Sequence, residues 1–177
     1  MPTYIAFLRA INLGATRKFA KAAIVRACEQ AGCTDVETYI NSGNVRVTTP
    51  LRSTARVEAA LEEAFAAEAG FEVPTIALTQ KELRDIAADA VELGEGHTGR
   101  YYVSLLKKAP TAATMKKLDD AGRAGERAVI RGRGAHLLLG EDYHTAKLSN
   151  SVVEKHLGVA TNRNLNVIRT LAEKWGR

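Results

Sequence analysis

The chain has 177 residues, of which 46% are hydrophobic and 25% charged, so it is long enough and apolar enough to bury a core as one domain or two small subdomains. Its formal net charge is +5, and this positive balance favours anionic partners without specifying one. No apolar run approaches the roughly 20 residues that span a bilayer, and residues 1–9 lack the pattern of a signal peptide, so we expect a cytoplasmic protein with no membrane partner.

Residues 1–79 predict a ferredoxin-like subdomain. Strand-forming residues at 4–9, 36–40, 44–49 and 75–78 alternate with apolar residues at helical spacing in 20–31 and 53–69. The resulting order, βαββαβ, is the ferredoxin-like or split βαβ arrangement. Its first and third strands are central neighbours, which predicts that Asn44, at the start of the third strand, lies near Arg9, at the end of the first.

Residues 80–177 predict a second α+β subdomain. Thr79-Gln-Lys-Glu82 has the spacing of a capping box and begins a helix, and the glycine-rich stretch 94–99 follows as a loop. A strand at 101–106, a helix at 110–121, hairpin strands at 127–131 and 135–139, and helices at about 150–157 and 164–175 complete the chain. We therefore expect an α+β fold with two ferredoxin-like (βαββαβ-type) subdomains packed together, residues 1–79 and 80–177, and C-terminal helices.

Recognisable catalytic, metal and cofactor motifs are absent from the sequence. It has no phosphate-binding G-x-x-x-x-G-K-[ST] loop, dinucleotide-binding G-x-G-x-x-G, H-E-x-x-H or G-x-S-x-G. The four histidines show no ligand spacing, and Cys28 and Cys33 are too few for a zinc site. Gly32 should end the first helix in a left-handed cap that packs Cys33 back on Cys28, which favours two buried thiols. We expect no metal site and no cofactor.

Three polar segments remain as candidate binding sites, and the first two lie in residues 1–79. One is the loop after the first strand, which either binds an anion through backbone N–H groups and a helix terminus or is an ordinary solvated loop. The other is the turn between the second and third strands, which is either only a hairpin turn or also presents donors beside the first loop. Their candidate residues are Arg9, Asn12, Arg17, Lys18, Asn41, Ser42 and Asn44.

The third polar segment begins at His144 and opens two predicted helices. Ser149 or Ser151, and Thr161 or Asn162, are suitable N-caps, and capping alone would explain these residues. Two helix N-termini with cations beside them would also form an anion site. The candidate ligand-binding residues are Lys147, Ser149, Asn150, Asn162, Arg163 and Asn164, and His144 is a hypothetical catalytic acid–base group.

Four segments carry a resemblance to a known family: Tyr4-Ile-Ala-Phe-Leu-Arg-Ala-Ile-Asn-Leu-Gly14, Thr38-Tyr-Ile-Asn-Ser-Gly-Asn-Val45, Lys147-Leu-Ser-Asn150 and Asn162-Arg-Asn-Leu-Asn166. In this order they resemble the motifs of the DUF1697 family. The resemblance implies a bacterial-type protein with a two-part α+β fold and a ferredoxin-like first half, and it implies no activity because the family has none assigned. The chain departs from the family pattern at Ala10 and Ala15, where glycine is usual, and at Leu165, where tryptophan is usual.

The favoured functional hypothesis is a binding protein for an anionic ligand, either nucleic acid or a phosphorylated metabolite, at a crevice between the two subdomains. It depends on the polar segments and on the charge of residues 91–177, which contain 15 basic and 9 acidic residues. The third strand has no aromatic residue, which disfavours base stacking of the kind that RNA-recognition modules use. The alternatives are an enzyme that acts on a small polar substrate in the crevice and a protein-interaction module.

Overall fold

A computed structural model describes the backbone of residues 1–177 and every side chain except that of Tyr143. The chain forms two compact units, Met1–Gln80 (unit 1) and Lys81–Arg177 (unit 2). The predicted α+β class is confirmed, because each unit contains a four-stranded antiparallel sheet together with helices. Within the described residues, no helix is long and apolar enough to cross a membrane.

Unit 1 has the predicted order βαββαβ. Its elements are β1 (Thr3–Leu8), α1 (Lys21–Gln30), β2 (Thr34–Tyr39), β3 (Asn44–Thr48), α2 (Thr54–Ala69) and β4 (Thr75–Thr79). The strand order β2-β3-β1-β4 makes β1 and β3 neighbours, as predicted. Their register places Asn44 opposite Phe7, so the start of β3 lies beside the end of β1.

The helices of unit 1 begin and end at residues that the sequence marks. The hydroxyl of Ser53 caps α2 by accepting a hydrogen bond from the backbone N–H of Arg56 at 3.2 Å. Gly70 ends α2 with a φ of 78°, in the left-handed region where glycine costs least. The ring of Phe19 lies edge-on to the rings of Phe65 and Phe71, with centroids 5.5 and 6.4 Å away. These contacts fix the end of the loop that leads into α1 against the core.

The predicted glycine cap at the end of α1 is also present. Gly32 has a φ of 80°, and the backbone N–H of Cys33 donates to the carbonyl of Cys28 at 3.0 Å. Both thiols are free and buried, and burial raises the pKa of each. They therefore behave as small apolar groups at neutral pH.

Unit 2 repeats the βαββαβ order and adds a helix at each end. Its elements are α3 (Gln80–Leu93), β5 (Tyr101–Leu106), α4 (Ala112–Asp119), β6 (Arg127–Arg131), β7 (Gly134–Leu138), α5 (Asn150–Leu157), β8 (Ala160–Asn164) and α6 (Leu165–Trp175). The strand order β6-β7-β5-β8 is the counterpart of that in unit 1. The sequence did not predict β8, so its reading of this half as βαββ followed by helices was incomplete. With β8 in place, both units have the ferredoxin-like topology.

The strand β8 also corrects one predicted helix cap. Thr161 and Asn162 lie within β8 and cap nothing, because α6 begins only after Asn164. The side chain of Asn164 is the cap, and it accepts a hydrogen bond from the backbone N–H of Val167 at 2.9 Å. The other predicted cap is confirmed, because Ser149 accepts from the backbone N–H of Val152 at the start of α5.

Candidate functional site

Two loops of unit 1 meet at the end of β1. The first, residues 9–20, connects β1 to α1, and the second, residues 40–43, connects β2 to β3; we call their joint surface the two-loop surface. It contains four non-glycine residues with a left-handed backbone: Ala10, Asn12, Arg17 and Ile40, with φ between 51° and 56°. This conformation costs about 1–2 kcal/mol at Ala10, Arg17 and Ile40 and less at Asn12, because asparagine tolerates it, and strain of this kind concentrates at functional sites. The two-loop surface is therefore the main candidate site of unit 1.

The side chain of Asn12 holds the two loops together. Its amide nitrogen donates to the carbonyl of Asn41 at 2.8 Å and to that of Phe19 at 3.0 Å. Its amide oxygen accepts from the backbone N–H of Phe19 at 2.9 Å. Because both amide hydrogens are used, the position of Asn12 is determined by the loops, and its contribution to a ligand site is the shape that it maintains.

Arg17 is fixed by neutral groups. Its Nε donates to the carbonyl of Ala10 at 2.5 Å, its Nη2 donates to the carbonyl of Glu72 at 2.7 Å, and its guanidinium carbon lies 4.5 Å from the centroid of the Phe71 ring. No described residue forms an ion pair with Arg17, and none accepts a hydrogen bond from its Nη1. The guanidinium group is therefore held rigidly while its charge is not neutralised by a carboxylate.

The tip of the first loop is a tight turn. Both the backbone N–H and the hydroxyl of Thr16 donate to the carbonyl of Leu13 at 3.1 Å. The exposed side chain of Lys18 closes over the turn, with its Nζ 2.6 Å from the carbonyl oxygen of Gly14. Among the described residues, no acceptor binds the backbone N–H of Leu13, Gly14 or Ala15. Successive N–H groups of this kind, next to a cation, suit an anion.

The hairpin loop is fixed by Asn44 and Gly43. Asn44 is only 1% exposed, and its amide donates to the carbonyl of Tyr39 at 3.0 Å and to the hydroxyl of Ser42 at 3.1 Å. The carbonyl of Gly43 accepts from the backbone N–H of Leu8 at 2.8 Å, which ties the loop to β1. Asn44 thus shapes the hairpin loop from within, whereas Asn41 and Ser42 lie exposed on its surface. Arg9, half-buried, follows β1 at the base of the first loop.

The segment before α5 is organised by a carboxylate that sequence reasoning passed over. The two oxygens of Glu126 accept from the backbone N–H groups of Lys147 at 2.9 Å and Leu148 at 3.0 Å. Asn150 then joins α5 to the sheet, because its amide donates to the carbonyl of Ala160 at 3.0 Å and accepts from the hydroxyl of Ser104 at 3.0 Å. Of residues 147–150, Lys147 and Ser149 are exposed, whereas Leu148 is buried and Asn150 is half-buried.

The three remaining candidates lie along β8. Arg163 is 7% exposed, and its Nη1 donates to the hydroxyl of Thr161 at 2.9 Å and to the carbonyl of Asn162 at 2.8 Å. Burial lowers the pKa of Arg163 to about 10, so the group still carries its charge at neutral pH. Arg163 lies in β8 and directly precedes Asn164, the N-cap of α6, and its role in binding a ligand stays a prediction. A cavity of about 250 Å³ lies at the N-terminus of α6 and is lined by Arg100, Tyr102, Asn164 and Asn166, among others.

His144 lies in a short 3-10 helix, Tyr143–Thr145, and is exposed. Its suggested acid–base role stays a prediction, as does the crevice between the two halves of the chain. Within the part of the chain that the structure describes, no group of three or more histidine, cysteine, aspartate or glutamate residues is placed to hold a metal ion.

Comparison with known proteins agrees with the resemblance seen in the sequence. The profile of a family described as "Protein of unknown function (DUF1697)" matches residues 1–135, which cover all of unit 1 and the part of unit 2 that ends at the start of β7. The chain belongs to the DUF1697 family.

The fold of this DUF1697 protein has a counterpart among solved structures. It is similar to the conserved bacterial protein SP0830 from Streptococcus pneumoniae, with a TM-score of 0.72 and 18% sequence identity over 97% of each chain. At this identity the similarity establishes the shared fold alone. No curated protein matches the sequence.

The geometry explains why glycine is usual at one of the positions where this DUF1697 chain departs from the pattern of its family. Ala10 stands where glycine is usual, and its φ of 56° lies in the region that glycine adopts without steric cost. Sequence reasoning also missed Leu13 and Ile40, which are 56% and 40% exposed on the two-loop surface. Their only sequence signal is that each is a large apolar residue next to an asparagine in a loop.

Proposed function

We propose that this protein binds an anionic group at the two-loop surface, as part of a nucleic acid, a phosphorylated metabolite or another acidic ligand. The proposal depends on one observation: Arg17 is immobilised by carbonyl oxygens and an aromatic ring without an ion pair to any described residue. Five other arginines of the chain, in contrast, each pair with a carboxylate, namely Arg26, Arg46, Arg123, Arg131 and Arg133.

An immobilised cation is well suited to binding because little of its freedom is lost when a ligand arrives. The planar guanidinium group of Arg17 keeps the N–H groups of Nη1 for phosphate or carboxylate oxygens. Lys18 and the backbone N–H groups of Leu13, Gly14 and Ala15 add positive charge and donors on the adjacent turn. No acidic residue precedes Glu29 in the sequence, so this part of the chain contributes no opposing charge.

We expect the replacement Arg17→Met to weaken phosphate binding about tenfold. A hydrogen bond between charged groups contributes about 1.5–3 kcal/mol, and 1.4 kcal/mol corresponds to a factor of ten in affinity. The measurement is a titration of the full chain with inorganic phosphate, followed by the amide signals of residues 13–18 in two-dimensional NMR spectra. The affinity of each variant is obtained from the concentration dependence of these signals.

Arg26→Met is the matched control, because it removes the same charge from unit 1 at an exposed residue that is already paired with Glu68 at 2.6 Å. We expect its phosphate affinity to stay within about twofold of the parent value. Thermal unfolding of both variants separates a loss of binding from a loss of structure. Equal weakening by the two replacements, or phosphate-dependent signals only outside residues 13–18, would contradict the assignment of the site.

Nucleic-acid binding by the same surface makes a separate prediction about salt. Two cations that each neutralise one phosphate give a slope of roughly −1.8 for the logarithm of affinity against the logarithm of salt concentration, about 0.9 for each contact on double-stranded DNA. We expect Arg17→Met and Lys18→Met each to make this slope shallower by about 0.9 in gel-shift titrations with a short duplex. Salt-independent binding, or no binding, would exclude nucleic acid as the ligand and leave the smaller anions.

A further inference from the structure

Two large aliphatic side chains lie exposed at the two-loop surface. Leu13 is 56% exposed and Ile40 is 40% exposed. The hydrogen bond from the Asn12 amide to the carbonyl of Asn41, at 2.8 Å, joins the residues directly next to them in the sequence. The two aliphatic side chains therefore lie on loops that this bond joins.

Ile40 has a backbone conformation that isoleucine rarely adopts. Its φ is 51°, a region that glycine or asparagine enters at low cost and that a β-branched residue enters at the highest cost. A residue required only for the hairpin geometry would be one of those two. Since strained residues concentrate at sites that make contacts, the exposed side chain of Ile40 is best explained by a binding partner.

The charge around these side chains indicates what kind of partner fits. Arg17 and Lys18 belong to the same surface and form no ion pair with any described residue. An apolar pair beside cations of this kind is complementary to an aliphatic side chain flanked by carboxylates. Nucleic acids fit less well, because proteins bind their bases by stacking on aromatic rings or arginine planes, whereas Leu13 and Ile40 are aliphatic.

We propose that the two-loop surface docks an acidic segment of another protein, whose aliphatic side chain contacts Leu13 and Ile40 and whose carboxylates contact Arg17 and Lys18. This inference rests on the proposed anion-binding function and specifies the partner of that site. It gives a binding role to Leu13 and Ile40, the apolar part of the surface, which an inorganic anion would not cover.

The test uses two labelled twelve-residue peptides and fluorescence anisotropy on the full chain. One peptide alternates glutamate or aspartate with leucine, and the other carries serine in place of each leucine. We expect the leucine peptide to bind about tenfold more tightly, because one buried leucine side chain accounts for at least this factor. Leu13→Ser and Ile40→Asn should each weaken the leucine peptide about fivefold or more and leave the serine peptide unchanged.

Val91→Ser is the matched control, since Val91 is 56% exposed, as Leu13 is, but lies on α3 in unit 2. Val91→Ser should leave the affinity of both peptides unchanged. Asparagine is the replacement at position 40 because it tolerates the left-handed backbone. Equal affinities for the two peptides, still reduced by Arg17→Met, would overturn the docking inference and keep the anion site. Binding of neither peptide would also overturn it, and the phosphate titration then decides the anion site independently. Tighter binding of a twelve-nucleotide single strand than of the leucine peptide would show that the partner is nucleic acid.

Discussion

Alanine in place of Gly43 is expected to lower the free energy of unfolding by about 2–5 kcal/mol. The φ of Gly43 is 78°, which costs an alanine about 1–2 kcal/mol. A Cβ atom at this position would lie 2.7 Å from the Cβ of Leu8 and 3.0 Å from the Cδ1 of Ile11. Both neighbours are buried, so the crowding adds about 1–3 kcal/mol, the usual cost of overpacking a core. Urea unfolding followed by circular dichroism measures the loss.

Gly70→Ala separates the two contributions to this loss. Gly70 also has a φ of 78° and also lies in unit 1, but a Cβ atom there would meet no heavy atom within 4 Å. We expect its replacement to cost only the backbone part, about 1–2 kcal/mol. A difference of less than about 0.5 kcal/mol between the two variants would mean that the hairpin loop does not press on β1 as closely as the structure shows.

The fold of unit 1 could be predicted from its sequence, and the turn at Gly43 is one example of the reason. Local signals agree there with the global structure: Ser53 and Gly70 mark the ends of α2, and the turn around Gly43 connects two runs of strand-forming residues. Each of these signals acts through the backbone of a few neighbouring residues. They can therefore be recognised without knowing what packs against them.

The strand β8 shows where such reading fails. Its sequence, Ala-Thr-Asn-Arg-Asn, is polar and rich in residues that favour turns and caps. The chain is nevertheless extended here because it pairs with β5, where Asn162 lies opposite Ser104, and because Arg163 is buried with hydrogen-bond partners on Thr161 and Asn162. Tertiary pairing overrides the local preference, and nothing within five residues reveals it.

The ligand site that the sequence suggested, a crevice between the two halves of the chain, stays a prediction, whereas part of the local geometry of unit 1 was predicted. The sequence indicates that the loop after β1 and the turn before β3 come together, and the register of β1 and β3 confirms this. The sequence does not indicate which polar side chains hold the loops in place and which remain available to a ligand. That distinction depends on the left-handed backbone of Ala10, Arg17 and Ile40, which are residue types that rarely adopt it. In this backbone arrangement the guanidinium of Arg17 donates to the carbonyl oxygens of Ala10 and Glu72.

The replacement Glu126→Ala is expected to cost about 2–3 kcal/mol of stability. The Glu126 side chain is only 3% exposed and pairs with the Nε of Arg123 at 3.1 Å. Its removal leaves the backbone N–H groups of Lys147 and Leu148 without their acceptors, and each lost hydrogen bond to a charged group costs about 1–3 kcal/mol, more for the buried Leu148 than for the exposed Lys147. The ion pair adds little, because the Arg123 side chain is 43% exposed. Glu141→Ala, at an exposed carboxylate of the same unit, should change stability by no more than about 0.5 kcal/mol. Equal effects of the two replacements in urea unfolding would show that Glu126 does not organise the segment before α5.

The dependence of this effect on pH follows from the direction in which the pKa of Glu126 is shifted. Burial alone raises the pKa of Glu126. The hydrogen bonds from the backbone N–H groups of Lys147, Leu148 and Arg123, together with the charge of Arg123, lower it by more, so that in the folded protein it lies below its ordinary value of 4.5. A carboxylate with a lowered pKa stabilises the fold fully above the unfolded pKa and loses that contribution as the pH falls through the folded pKa. The difference in stability between the parent protein and Glu126→Gln, which cannot ionise, should therefore be constant from pH 8 to about 6 and shrink below about 4.5. A difference that stays constant down to pH 3 would mean that the N–H groups before α5 are bound by some group other than an ionised Glu126.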